Sequence, residues 1–429
     1  LHFSNLKRKN KCCAEKQFAF LDISMVLNNT MRKYSLFFGL LIFVSVSLFS
    51  QEKLSFTDLV TINFNQLAKS KERIQKNDPE YAEAFDQLML DAEKALRFKP
   101  VTVMSKTDLP PSGDKHDYMS IAPYWWPNPN TPNGVPYIRR DGEINPEVKN
   151  FPDKVVLPGL SSSIYHLSLA YYFTGKEAYA DHASKLIRVW FLDEATRMNP
   201  NLKYAQSVKG VTDGRAEGVI DTRHFMHIMD AIQLLKSSKA WTKKDQQGME
   251  GWVKEFIQWL GNSTIGIEEM NAPNNHGVWY DAQLLAYAGF LKDTSLIKTI
   301  YTRAMKRLDQ EMDAQGSFPL EMKRTTSLHY SVFILNAYNS LATRFQQLGL
   351  DLWQTKTASG KSLKMGFDFI LPYLLRTKQW TGPQINEFKQ AEAIPLLNKA
   401  VSQYGCSSCS EEMKRLAGAA YPSLLMKLL

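Results

Sequence analysis

Phe85-Asp86-Gln87-Leu88-Met89-Leu90-Asp91-Ala92-Glu93-Lys94-Ala95-Leu96 sets the pattern that most of the chain repeats. Phe85, Leu88, Met89, Ala92, Ala95 and Leu96 recur at i, i+3, i+4 and i+7, the spacing of a helix with one buried face. Ala183, Leu186, Ile187, Trp190 and Phe191 do the same. Further helices are expected at 54–70, 158–174, 221–237, 243–261, 277–291, 294–313, 327–348, 361–376, 386–403 and 410–427. Strand-type alternation is scarce. Its best short candidate, Val135-Pro136-Tyr137-Ile138, holds a proline that would break a sheet ladder. Helices of roughly 12–20 residues joined by short turns predict an all-α fold of stacked antiparallel pairs.

The chain has 429 residues and a formal net charge of +9. Met31-Arg32-Lys33-Tyr34 and the apolar run to Phe49, followed by Ser50 and Gln51, read as a secretory signal peptide over 31–50. Residues 1–30 then read as an upstream extension, and 51–429 as one domain, since no linker-like tract interrupts it. No cysteine follows the apolar run, so no lipid or other membrane anchor is expected, and the protein should be exported to the periplasm or secreted. Seven bases and two acids lie in residues 1–50, which leaves about +4 for the remainder. That surplus argues against a nucleic-acid partner but permits a basic cleft for an acidic ligand. Cys406 and Cys409 could be a local disulfide, a redox pair or half a metal site, and with no His or Cys nearby a structural disulfide is expected.

Residues 99–157 lack a helical pattern, and nine of the nineteen prolines fall in 105–154. A long irregular segment in a globular chain is usually functional or disordered. Tyr124-Trp125-Trp126 is too apolar to leave in water, so the segment should pack, with its rings either stapling the loop or stacking on sugars. Segment 193–220 is also irregular. Its glycines follow no strand and make no dinucleotide site, and Asp221 is expected as a helix N-cap.

Two stretches concentrate chemistry. In Asn274-Asn275-His276-Gly277-Val278-Trp279-Tyr280, Asn275 would cap a helix at 277–291. Two carboxamides and an imidazole at an electropositive helix start make a receptor for a carboxylate or a developing oxyanion. In Glu321-Met322-Lys323-Arg324-Thr325-Thr326-Ser327-Leu328-His329-Tyr330, six residues of continuous helix would put Arg324 and Tyr330 on different faces. Arg324 should therefore sit on the entry loop or else serve a different subsite. If it approaches Tyr330, its charge should favour the phenolate. The two stretches are expected to face one another across a cleft.

Tyr118-Met119-Ser120, Tyr124-Trp125-Trp126-Pro127, Asn274-Asn275-His276-Gly277 and Arg324…Leu328-His329-Tyr330, in this order, resemble the alginate lyase superfamily over roughly residues 80–400. The resemblance implies an (α/α) incomplete toroid of about six to seven helix hairpins. It implies β-elimination on a 4-linked uronic-acid polymer, polymannuronate (alginate) or glucuronan, with no required metal or other cofactor. By the match, Asn275 and His276 are the carboxylate-binding and catalytic pair, Tyr330 the catalytic tyrosine and Arg324 its assistant. Tyr118, Tyr124, Trp125, Trp126, Gln206, Arg223, Asn274 and His329 are the expected substrate-binding residues. Gly277-Val278 after the histidine, and a shorter Arg-to-Tyr spacing, depart from the family pattern and point toward a uronan other than alginate. The expected partner is an acidic polysaccharide, and oligomeric state is left open.

Elimination requires that the C6 carboxylate be neutralised, H5 removed and O4 protonated. Asn275, His276 and Arg324 suit the first task. In mannuronate and glucuronate H5 and O4 lie on one side of the ring, so Tyr330 could serve both proton transfers. His276 as base with Tyr330 as acid is the competing assignment. An inverting glycoside hydrolase on the same toroid would need two separated carboxylates, for which Glu217, Asp221, Asp281 and Glu321 are candidates. A non-catalytic exported glycan-binding protein would need only the aromatic platform.

Overall fold

Two kinds of helix alternate along the chain. The computed structural model describes residues 62–417 and Leu428, so the signal-peptide and extension readings lie outside the described residues, as do parts of the expected helices 54–70 and 410–427. In order, the helices are α1 (Phe64–Gln75), α2 (Pro79–Ala95), α3 (Pro152–Thr174), α4 (Glu177–Ile187), α5 (Phe225–Leu235), α6 (Lys243–Asn262) and α7 (Thr264–Met270). They continue as α8 (Asn275–Leu291), α9 (Thr294–Glu311), α10 (Pro319–Met322), α11 (Ser327–Gln347), α12 (Leu363–Leu374), α13 (Ile394–Tyr404) and α14 (Ser407–Ala417).

Helices α3, α5, α8, α11 and α13 pack in succession, each on the next. They form the inner row. In α8 every residue from Gly277 to Phe290 is buried, as its near-continuous apolar sequence requires of a helix covered on all sides. The outer helices α2, α6 and α9 bury one stripe, such as Leu88, Ala92 and Ala95 in α2. This alternation gives the all-α fold that the periodicity predicts and the toroid that the family resemblance implies, within a compact unit spanning Leu54–Leu429. Among the described residues, no helix is long and apolar enough to cross a membrane. Cys406 and Cys409, at the start of α14, are disulfide-bonded.

The irregular segments meet at one end of the row. β1 (Met119–Ile121) pairs in parallel with β4 (Tyr204–Ser207), and β2 (Trp125–Trp126) pairs antiparallel with β3 (Ile138–Arg139). The expected strand at 135–138 is thus paired only from Ile138 onward. α3 begins at Pro152, earlier than its periodicity indicates. Proline is at home in the first turn, where its missing N–H would have no partner. Asp153 in that turn accepts from the Met119 N–H (2.9 Å) and pairs with the buried Lys106 ammonium (2.9 Å), which fastens the loop to the helix start.

Candidate active site

A cleft of about 1010 Å³ lies where the two irregular segments meet the starts of α8 and α11. Its lining includes Asn274, Asn275 and His276 on one side and Arg324, His329 and Tyr330 on another, so the two chemistry-bearing stretches share one cavity.

The α8 wall is built by capping. Asn274, not Asn275, is the N-cap: its Oδ1 accepts from the His276 N–H at 3.0 Å. Asn275 is the first helical residue. Its backbone N–H and its Nδ2 both donate to Glu321 (2.7 and 3.0 Å), which ties α8 to α10. The amide nitrogen expected to grip a substrate carboxylate is therefore already engaged, and Asn275 Oδ1 is left buried without a partner. His276 places Nδ1 2.8 Å from Oε1 of Glu269, a residue of α7 that is 1% exposed. Burial pushes the imidazole pKa down, but the Glu269 carboxylate outweighs it and holds His276 above its ordinary value. With Nδ1 committed, Nε2 is the nitrogen left for the cleft.

The α11 wall carries Tyr330, whose hydroxyl donates to the Tyr124 hydroxyl at 2.8 Å. Arg324 does sit in the turn before α11, and its guanidinium carbon lies 3.5 Å from the Tyr330 ring centroid. The same guanidinium grips Asp141 of the irregular loop through Nε (3.0 Å) and Nη2 (2.6 Å). Burial alone would raise the Asp141 pKa, yet Arg324 and the Thr325 N–H hold it at about 2. Arg324 does approach Tyr330, but the net lowering of the phenol that was to follow from such an approach does not occur. Burial and the neighbouring Tyr124 outweigh the guanidinium, and Tyr330 is held well above its ordinary value. His329 sets its Nδ1 2.6 Å from Glu392 and its ring edge-on to Tyr330.

The third wall centres on Asp221, buried inside the 3₁₀ segment Ala216–His224 and not a helix cap. It accepts from Lys154 (2.8 Å), Ser120 (2.7 Å), Gln206 (3.0 Å) and Tyr118 (3.2 Å). Burial pushes its carboxyl up, and the Lys154 ammonium with these donors more than reverses that. Tyr118 is thus corrected from a substrate-binding residue to a support, fully buried behind the wall. Trp126 is corrected likewise. It is absent from the cleft lining, donates Nε1 to the Glu143 carbonyl at 3.0 Å and lies under Arg140. Trp125 and Tyr124 do line the cleft. Gln206 lines it in the left-handed region (φ 49°), a conformation that costs a non-glycine residue roughly 1 kcal/mol or more. Its N–H on Ser120 Oγ (2.8 Å) and its side chain on Asp221 hold it there. Arg223 has no acidic partner within ion-pair distance among the described residues. Its contacts are the Ile220 carbonyl and the Phe333 ring.

Sequence reasoning missed Glu269, Asp141, Lys154 and Arg215. Glu269 sits on a short helix with no apolar period, and Asp141 is far from Arg324 in the chain, so neither carries a local signal. Of the four carboxylates weighed for a hydrolase, Asp281 is bound by Arg303 and Arg307 and Glu321 by Asn275, and neither lines the cleft. Asp221 is enclosed by its donors, and Glu217 pairs with Arg215 at 3.1 Å.

The sequence model of the alginate lyase family matches residues 102–380. Among solved structures, an alginate lyase from Bacteroides ovatus is 38% identical, with a TM-score of 0.80 over 87% of this chain and 98% of that one. Alginate lyase A1-III complexed with a tetrasaccharide shares 16% identity and a TM-score of 0.51 over 80% of this chain and 87% of that one, a likeness of fold. No curated protein sequence matches. The family match over more than half of the chain, together with the 38% identical neighbour, shows that the chain belongs to the alginate lyase family and is a polysaccharide lyase.

Proposed function

We propose that the enzyme cleaves alginate at mannuronate residues by β-elimination, leaving a 4,5-unsaturated uronate at the new end. The observation that carries this reading is the convergence of His276, Arg324 and Tyr330 on one cleft, with cations on every wall. The 38% identical neighbour is an alginate lyase. Of the two sequence features that spoke for another uronan, the glycine after the histidine has a packing cause. A Cβ at Gly277 would run into the Ala272 carbonyl and the Arg307 guanidinium, so glycine there answers to α9 and not to the substrate.

In this mechanism the substrate carboxylate sits against the charged His276 Nε2–H and the Arg223 guanidinium, which has no carboxylate within ion-pair distance among the described residues. Charge that develops on the carboxylate as H5 leaves is met by donors already in place. Arg324 braces the Tyr330 ring and favours its phenolate against the effect of burial. Acting as the phenolate, Tyr330 takes H5 to become the phenol and gives that proton to O4 as the C4–O4 bond breaks, which the same-side geometry of mannuronate allows to one group. Glu269 is the positioning residue that keeps the His276 imidazole charged, which supports Tyr330 over His276 as the base. Asn275 and Glu321 lock the α8 start to the turn that bears Arg324. Trp125 and Tyr124 offer ring faces to the sugars. Export through the 31–50 segment, to the periplasm or the medium, belongs to the same reading.

Tyr330→Phe tests it. Removing the only hydroxyl that moves protons should cut formation of unsaturated product by about 10³-fold or more, while polymer binding by calorimetry survives. Retained turnover in that variant would remove Tyr330 from the chemistry.

A further inference from the structure

The cleft ends at the turn Asn271-Ala272-Pro273, and a second recess of about 360 Å³ begins there, with Asn271 and Pro273 lining both. Its far wall is one face of α9. Arg303 and Arg307 on that face are already used. Both bind Asp281, and Arg307 also donates to the Met270 and Ala272 carbonyls that shape the turn. Lys306 and Gln310, one helical turn apart, are exposed and make no hydrogen bond or ion pair among the described residues. Facing them are Pro319 and Leu320 of α10, and Leu320 is 42% exposed.

The electrostatics of the recess favour an anion. Arg303 and Arg307 are balanced by Asp281 behind them and by Glu311, which Arg307 Nη1 meets at 3.1 Å, and this leaves Lys306 as the cation of the lining with no ion-pair partner among the described residues. An unpaired ammonium suits a carboxylate, a free carboxamide suits sugar hydroxyls, and an exposed Leu–Pro surface suits the apolar face of a pyranose. That is the recognition chemistry of one uronate residue. Because Asn271 and Pro273 line both, the recess adjoins the cleft across a single turn, within reach of a polymer that extends out of the cleft.

We propose that this recess is a distal subsite, binding a uronate of the same polymer chain whose scissile linkage lies in the main cleft. The proposal rests on the lyase reading above. It makes Lys306 a residue that senses chain length and takes no part in the chemistry.

The test compares wild type, Lys306→Ala, Lys306→Glu and Lys306→Arg on polymannuronate and on a mannuronate trimer, following unsaturated product. Lys306 is exposed on an outer helix, so these changes should leave folding intact. For the polymer, Lys306→Ala should raise KM about two- to fivefold, the range of an exposed ion pair, with kcat unchanged. Lys306→Glu should raise it further, and Lys306→Arg should restore it. The effect should shrink with added salt, and trimer kinetics should not move. An unchanged polymer KM, or equal losses on polymer and trimer, would overturn the subsite while leaving the lyase reading standing. A wild-type enzyme that forms no unsaturated product from any uronan would bring down both.

Discussion

At the scale of single residues, the cleft is a set of paired charges with a few members left free. Glu269 fixes one nitrogen of His276, Asp141 fixes Arg324, and Asp221 gathers Lys154, Ser120, Gln206 and Tyr118. The Glu269–His276 contact offers a test between the two proton-transfer assignments. Glu269 raises the His276 pKa, so the imidazolium is complete below the ordinary histidine value and is lost as pH rises through the elevated one. Glu269→Gln removes that support and leaves burial to push the pKa down. If His276⁺ is the electrostatic partner, the falling alkaline limb of kcat/KM should move to lower pH, with a loss on the order of tenfold at alkaline pH. A shift confined to the rising acid limb would instead make His276 the base. None of these carboxylate partners was legible in the sequence, because each lies on an element whose approach is set by the fold and not by spacing.

At the scale of elements, the start of α8 shows why local sequence carries the site only partway. Two asparagines in a row allow two cap assignments. The choice of Asn274 turns on Glu321, which holds the N–H and side chain of Asn275 from another helix. The short α7 that supplies Glu269 escaped notice because its few residues show no apolar repeat. Gly277 is the clearest case. From sequence it looked like a mark of substrate preference, whereas it leaves room for Arg307 to reach the Met270 and Ala272 carbonyls. Gly277→Ala should therefore destabilise the protein by about 1–3 kcal/mol through overpacking, read as a lower denaturant midpoint with unchanged slope. An unchanged midpoint would mean that the turn gives way freely, and that the hold of Arg307 on the Met270 and Ala272 carbonyls is weaker than its contacts indicate.

At the scale of the molecule, the paired helices could be read in advance from their apolar period, while the closure into a toroid came from the family resemblance. A stripe such as Leu88, Ala92 and Ala95 and a filled sequence such as Val278 to Phe290 each state where the helix lies. The path of residues 99–157 could not be read. Its two-residue strands and proline-rich turns are set by partners far along the chain, including Tyr204–Ser207 and Arg324. That path brings Tyr124 to Tyr330 and Asp141 to Arg324, and so completes the cleft. The account as a whole stands on same-side elimination from a mannuronate chain. Incubating the wild-type enzyme separately with polymannuronate, polyguluronate and glucuronan, and following the ultraviolet absorbance of unsaturated ends, tests it most directly. The account predicts unsaturated product from polymannuronate well ahead of the other two polymers. Product from polyguluronate alone, where H5 and O4 lie on opposite sides, or cleavage without any double bond, would contradict it.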